Sequence, residues 1–400
     1  MSIFKPELLA PAGNIEKLKI AFHHGADACY VGGTVFGLRK FADNFSDDQL
    51  TQAVDYANTL GKKVYVVLNG YAHNTDLDDL APHLETLQKI QPHGFIISDM
   101  GVMQLAKKMT SIDLHTSTQA SVTNLYGCKL WKNAGAKRVI LAREVSIDDC
   151  KAIKEHLDIE LEVFVHGAMC ASYSGKCVIS NYTAGRDSNR GGCVQSCRHT
   201  YDIIPKDTPN LSVENAINSH IMNAKDLMAV SLIPQLVDSG INSLKIEGRM
   251  KSNLYVANAV SVYRAAIDEY CDTKSTAVTT YESELKKVSN REFSTGGLAH
   301  MPTDESINYD YKDYSKGVDL IGTIKAVKDH ICIAQIKVPF AAGDLLELVS
   351  QSGNRHPLIL NDIQTISGAP LTAARQDTLI QFKTDIPILP FDVIRKPIAS

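Results

Sequence analysis

Short apolar, β-branched runs alternate with amphipathic helical stretches through the first two-thirds of this chain, and no other feature limits the fold as much. Strands are predicted at 7–10, 28–32, 63–69, 94–98, 113–118, 138–143, 160–166 and 243–247. Helical patterns lie at 14–24, 47–60, 77–90, 122–134, 147–157, 225–238 and 254–270, and several stop at a glycine, as at Gly25, Gly61, Gly135 and Gly240. Such alternation means a parallel sheet covered by helices. Eight units over ~250 residues fit a closed (β/α)8 TIM-like barrel with an insertion. A doubly wound open sheet expects a Gly-rich phosphate loop after the first strand, and Ala10-Pro11-Ala12-Gly13 is not one.

The barrel is expected to occupy 1–272, with a cysteine-rich loop at 167–201. A helical linker or arm follows at 273–310, with a helix at 281–289 and a tyrosine-rich run reaching Val318. From 311 to 400, short strands at 320–327, 331–338, 344–349, 378–382 and 392–395, separated by turn residues, predict a small all-β barrel. A 44% hydrophobic and 22% charged composition supports a sizeable core. The net charge of -4 argues against a uniformly basic surface, although a local basic strip is enough to hold nucleic acid. No apolar run approaches the ~20 residues of a membrane helix, and the N-terminus shows no signal-peptide core. The expected location is the cytoplasm, where nine cysteines are metal ligands or buried thiols rather than disulfides.

In a barrel the site lies at the C-terminal strand ends. Candidates there are Asn69, Asp99, Gln119, Arg143, His166, Glu247 and Arg249. Strand alternation puts Glu162, Phe164 and His166 on one face, and points Lys245, Glu247 and Arg249 inward while Leu244 and Ile246 meet the helices. By position, His166, Glu162 and Glu247 are the candidate proton carriers. Any one of these residues alone also reads as an ordinary loop side chain.

Cys170, Cys177, Cys193 and Cys197 stand in a Gly/Ser/Asn-rich stretch at intervals C-x6-C-x15-C-x3-C. Four thiolates in such a loop suit an iron–sulfur cluster, whose ligand spacing is irregular. A structural zinc prefers C-x2–4-C knuckles; Cys193–Cys197 qualifies and Cys170–Cys177 is too long. A Cys170 nucleophile assisted by His166 explains one cysteine of four. Cys29, Cys128, Cys150, Cys271 and Cys332 sit on apolar faces and read as core. The loop also carries Lys176, Arg186, Arg190, Arg198 and His199 among Tyr173, Tyr182 and Tyr201. This is a basic-aromatic surface of the kind that tracks phosphates and stacks bases, with a solvated loop as the plain alternative.

Glu162-x-Phe164-x-x-Gly167-Ala168-Met169-Cys170, followed by Gly175-Lys176-Cys177 and Ser180, resembles the signature of the collagenase-like unknown-type peptidase family 32. The opening Glu7-Leu8-Leu9-Ala10-Pro11-Ala12-Gly13, the stretch Leu244–Arg249 and Asn290-Arg291-Glu292-Phe293 match it too, so the resemblance spans nearly the whole chain. Despite its name, the family implies oxygen-independent hydroxylation of transfer-RNA wobble uridine, of a ribosomal-RNA cytidine or of ubiquinone precursors. Gly192-Cys193-x3-Cys197-Arg198 is most similar to the tRNA-hydroxylating type. That implies 5-hydroxyuridine formation, with prephenate as the required co-substrate and a four-cysteine cluster, 4Fe–4S in type. Some relatives take the fourth ligand after Lys225-Asp226-Leu227. Here Met228 stands there, so Cys197 is the natural fourth ligand. A small dicarboxylate needs cationic partners, which Arg143, Arg249 and Lys245 can supply. tRNA and this metabolite are the expected partners, beside a protein partner or a second copy. Peptidase activity is the alternative from another class.

Overall fold

Eight parallel strands close on themselves in the computed structural model, which describes residues 4–34, 36–37, 43–203, 217–288, 290–309 and 317–397. They are β1 (Glu7–Pro11), β2 (Ala28–Gly32), β3 (Lys63–Leu68), β4 (Gly94–Ile97), β5 (Leu114–Thr116), β6 (Arg138–Ile140), β7 (Glu160–Gly167) and β8 (Ser243–Ile246). Each pairs with the next, and β8 pairs with both β7 and β1, which seals the barrel. The outer helices are α1 (Ile15–His23), α2 (Asp47–Thr59), α3 (Leu77–Ile90), α4 (Met100–Met109), α5 (Leu125–Ala134), α6 (Ile147–His156), α7 (Ile233–Asp238) and α8 (Asn253–Thr273). Their starts are written in side chains: Asn14, Ser46, Asp99, Asn124, Ser146 and Ser252 each accept a bond from a first-turn amide.

Within the barrel, two stretches of the described residues depart from the expected helices. Helix α4 was not among the expected helices. The stretch 225–238, expected as one helix, divides into a short strand Asp226–Met228, a 3₁₀ turn Val230–Leu232 and α7. Pro234 lies in the first turn of α7, where its missing N–H costs nothing, and it would interrupt a helix started earlier.

The lower part of the barrel interior is ionic rather than a stack of aliphatic layers. Arg138 Nη1 donates to Glu7 Oε1 at 2.5 Å and to Glu162 Oε2 at 3.1 Å, while Lys245 Nζ reaches Glu162 Oε1 at 3.0 Å. Glu162 is 0% exposed, so this carboxylate is tenable only because two cations enclose it. Outward strand residues such as Leu8, Leu244 and Ile246 are fully buried under the helices.

The segment after α8 returns to the barrel. Phe293–Ser294 pairs in parallel with Asp226–Leu227, and Arg291 binds Asp226 through Nε at 2.9 Å and Nη2 at 2.8 Å. Of the expected tyrosine-rich run, 310–316 lies outside the described residues. From Leu320 on, a curled antiparallel sheet surrounds its own core, including Ile324, Leu348, Ile380 and Ile394. It includes strands at Arg355–Ile359 and Ile363–Thr365 beyond those expected. This domain rests on the barrel through His23 and Asp392 at 2.7 Å, and on the helix Val278–Lys286 that follows it through Arg395, fully buried, which holds Glu284 at 2.6 Å and grips Glu347 of its own sheet. No helix among the described residues is long and apolar enough to cross a membrane.

Candidate active site and cysteine loop

The cysteine loop is pressed onto the C-terminal mouth of the barrel by bonds to the βα turns beneath it. Arg143 N donates to Ser174 Oγ at 3.1 Å, Ser174 N to Glu144 Oε1 at 3.0 Å, and Ser121 Oγ to the Ser174 carbonyl. Tyr71 Oη donates to the Gly175 carbonyl at 2.6 Å. Gly175 has φ +75°, and a Cβ there would run into the Gln119 carbonyl, so only glycine lets the loop come this close. Within the loop, Asn189 Nδ2 holds the Cys177 carbonyl at 2.9 Å, and Thr183 and Ser196 share a bond of 2.6 Å.

One cavity lies between loop and barrel. Cys170, Cys177, Cys193 and Cys197 border it from above, and Arg143, Lys245, Glu247 and Arg249 from below. All four thiols are free of disulfides. Burial raises the Cys197 thiol above its ordinary pKa; Arg198 counters this, and Cys170, Cys193 and Cys177 add to the rise, so the four groups feel one another. Among the described residues no three His, Cys, Asp or Glu side chains stand close enough to hold a single metal ion. A polynuclear cluster is wider than one ion, and the four-thiol donor set around one cavity fits its chemistry.

On the floor, the Arg143 guanidinium lies 4.1 Å from the Phe164 ring centre, and its buried Nε has no hydrogen-bond partner among the described residues. Its carboxylate neighbour Glu247 stands 4.0 Å away. Glu247 also receives a bond of 3.2 Å from Tyr30 Oη. Arg249 is buried against β1 and β2: a Cβ at Gly32 would collide with its guanidinium, and one at Gly13 with its carbonyl. Burial lowers the Lys245 pKa, while Glu162 opposes the shift.

The expected site residues therefore divide. Arg143, Lys245, Glu247, Arg249, Asn69 and Gln119 share the cavity with the four cysteines. Glu162 sits one layer lower and reaches the cavity only through Lys245. Asp99 is spent as the N-cap of α4, accepting from Val102 N at 2.9 Å. His166 faces away. The β7–β8 register slips between Phe164 and His166, where one extra residue in β7 ends the inward alternation. Its imidazole lies among Tyr255, Tyr263 and Phe293, and burial brings its pKa down to about 4. His166 and Cys170 thus line different cavities, and no hydrogen bond between them is found among the described residues. Tyr30 and Ser117 also border the site and were not anticipated. A bulky aromatic two residues before Gly32, on the same strand face, was the available signal for Tyr30.

The basic-aromatic surface is narrower than the sequence suggested. Arg190 is committed to Asp76 and to the Tyr71 carbonyl, and Arg198 is turned inward onto carbonyl groups. Tyr201 is half-buried, its hydroxyl bonded to the Ser196 carbonyl at 2.8 Å. Lys176, Arg186 and His199 remain exposed on the rim, with Tyr173 and Tyr182, the latter 88% accessible.

A parallel (β/α) barrel whose cationic mouth is roofed by a four-thiol loop defines a class of barrel enzyme with its site at the strand C-termini. The chain belongs to peptidase family U32, whose model matches residues 13–308. It is 40% identical over 402 residues to tRNA hydroxylation protein P1 of Bacillus subtilis (strain 168), covering 98% of this chain and 95% of that one. With 23S rRNA 5-hydroxycytidine C2501 synthase of Escherichia coli (strain K12) it shares 33% identity over 355 residues, 87% of this chain and 53% of the other. The solved structure of the U32 peptidase Mk0906 aligns with a TM-score of 0.42 at 13% identity, over 62% of this chain and 95% of that one.

Proposed function

We propose that this chain hydroxylates RNA, with tRNA as the substrate, forming 5-hydroxyuridine at the wobble position with prephenate as co-substrate. The observation that carries this reading is the meeting of four thiols and a cationic floor on one cavity, beneath a rim bearing Lys176, Arg186, Tyr173 and Tyr182. The relatives named for tRNA hydroxylation, at 40% identity over almost the full chain and at 33% in Escherichia coli (strain K12), favour tRNA over the rRNA alternative.

Cys170, Cys177, Cys193 and Cys197 would hold a 4Fe–4S cluster, which supplies one-electron transfer when bound. Beneath it, Arg143 and Arg249 suit the two carboxylates of a dianion, because planar guanidinium groups pair with carboxylates in bidentate fashion. Arg143 is already flattened on Phe164, so little side-chain freedom is lost on binding. Glu247, held by Tyr30 at 3.2 Å, would be the carboxylate that accepts a proton in the cavity. Glu162 keeps the Lys245 ammonium in position at 3.0 Å rather than touching substrate itself. On the rim, Tyr173 and Tyr182 offer faces for an unpaired base, and Lys176 and Arg186 offer charge for its phosphates.

The deciding experiment is nucleoside mass spectrometry of tRNA and rRNA from cells lacking the protein, then complemented with it. Loss of 5-hydroxyuridine-derived nucleosides from tRNA alone, restored by complementation, is expected. Unchanged tRNA with depleted hydroxycytidine in rRNA, or with depleted quinone, refutes the assignment.

A further inference from the structure

Arg198 follows the last cysteine of the loop, and its half-buried side chain turns inward onto the backbone. Its Nη1 donates to Asn223 Oδ1 at 2.8 Å and to the Ala224 carbonyl, and its Nη2 to the carbonyl of Met169. Met169 immediately precedes Cys170, so this one side chain ties the end of the loop, at Cys197, to its beginning, at Cys170. The carbonyl of Arg198 itself meets His220 Nδ1 at 3.1 Å, which fixes the backbone at that turn.

None of these acceptors is charged. Asp226, the carboxylate whose field reaches Arg198, is held by Arg291 at 2.8–2.9 Å. The loop therefore closes on a guanidinium whose hydrogen bonds to the described residues leave its charge uncompensated, beside two of the four thiols. A cluster held by four thiolates is anionic, and reduction adds one further negative charge. Local net charge is among the factors that set its potential, so a nearby cation favours the reduced form.

We propose that Arg198 is a redox-tuning residue, which raises the reduction potential of the cluster held by Cys170, Cys177, Cys193 and Cys197. It does so by fixing between Cys170 and Cys197 a positive charge whose hydrogen-bond acceptors among the described residues are all neutral. This rests on the cluster reading given above. Electron delivery to the site then depends on a residue that touches neither RNA nor metabolite.

The test is a redox titration of the anaerobically reconstituted full chain, followed by visible absorbance and electron paramagnetic resonance. The informative variant is Asn223→Asp, which replaces one atom, keeps the bond to Arg198 and cancels its charge. At the poise where the wild type is half reduced, the ratio of reduced to oxidised cluster is expected to fall about tenfold, equal to ~59 mV for one electron. Iron and sulfide should stay at wild-type content. Arg198→Gln should shift the potential in the same direction. If that variant loses iron because the tie between the loop ends is gone, Asn223→Asp still decides. An unchanged or raised potential in Asn223→Asp, with full iron, overturns the inference. Wild-type protein that takes up no iron and sulfide would instead overturn the cluster reading beneath it.

Discussion

Gly32→Ala is a one-carbon change that should disable the proposed metabolite site without replacing a charged residue. The added Cβ would occupy the place of the Arg249 guanidinium, which must swing away or push β2 outward. Overpacking of this kind costs roughly 1–3 kcal/mol in stability, which a domain of this size tolerates. The effect on binding follows from displacing the guanidinium from its carboxylate partner on the metabolite. One charge-assisted interaction with a carboxylate is worth about 1.5–3 kcal/mol. At about 1.4 kcal/mol per decade, the dissociation constant for prephenate should rise roughly 10- to 100-fold. Isothermal titration of the folded variant measures this, with a melting curve to confirm folding. Arg249→Gln should weaken binding to a similar extent, and the double variant should be little worse than either alone, because both act through one group. Unchanged affinity in Gly32→Ala, or fully additive losses in the double variant, would refute the placement of Arg249 in the metabolite site.

Three further outcomes are expected. Alanine at Cys170, Cys177, Cys193 or Cys197 should abolish the iron and sulfide content of anaerobically purified protein, whereas alanine at the buried Cys128 or Cys332 should leave both intact. Lys176→Ala with Arg186→Ala should weaken tRNA binding and lower the slope of log K against log salt by about one for each phosphate no longer neutralised, measured by filter binding across a salt series. His166 has a folded pKa of about 4 against an ordinary 6.5. The unfolded chain therefore binds the extra proton first, and stability should fall as pH drops from 6.5 towards 4. The loss is up to about 3 kcal/mol from this group, and chemical denaturation of His166→Phe should show a correspondingly shallower pH dependence.

The sequence is informative about the fold wherever periodicity decides. All eight barrel strands lie within the runs predicted for them or within one residue of their ends, because buried parallel strands are continuous apolar runs and glycines stop the helices between them. It is weaker where one backbone irregularity decides. The slip at Phe164–His166 turns the imidazole out of the site, and nothing in Phe164-Val165-His166-Gly167 announces it. Charge partnership is hidden for a similar reason. Arg190 and Arg198 read as surface cations, yet Asp76 lies more than a hundred residues from Arg190, and Arg198 binds carbonyls that leave no mark in sequence. The ionic core is an intermediate case: alternation points Lys245 inward and puts Glu162 on one face with Phe164, but Arg138 and Glu7, which complete it, become visible only with the register.

The return of the chain after α8 has a consequence for how the protein is made. Arg291 neutralises Asp226, Phe293 and Ser294 extend the sheet beside Leu227, and Gly297 fits so closely under the Arg143 carbonyl that a side chain there would strike it. The wall behind Arg143 is thus completed by residues some fifty positions beyond the last barrel strand, and well over a hundred beyond Cys170. During synthesis the cysteine loop leaves the ribosome long before this wall exists, so the support behind Arg143 is completed only after the loop has been made. Maturation of the site is therefore a late event, and a chain ending at Thr273 would present the loop with an incomplete support beneath it.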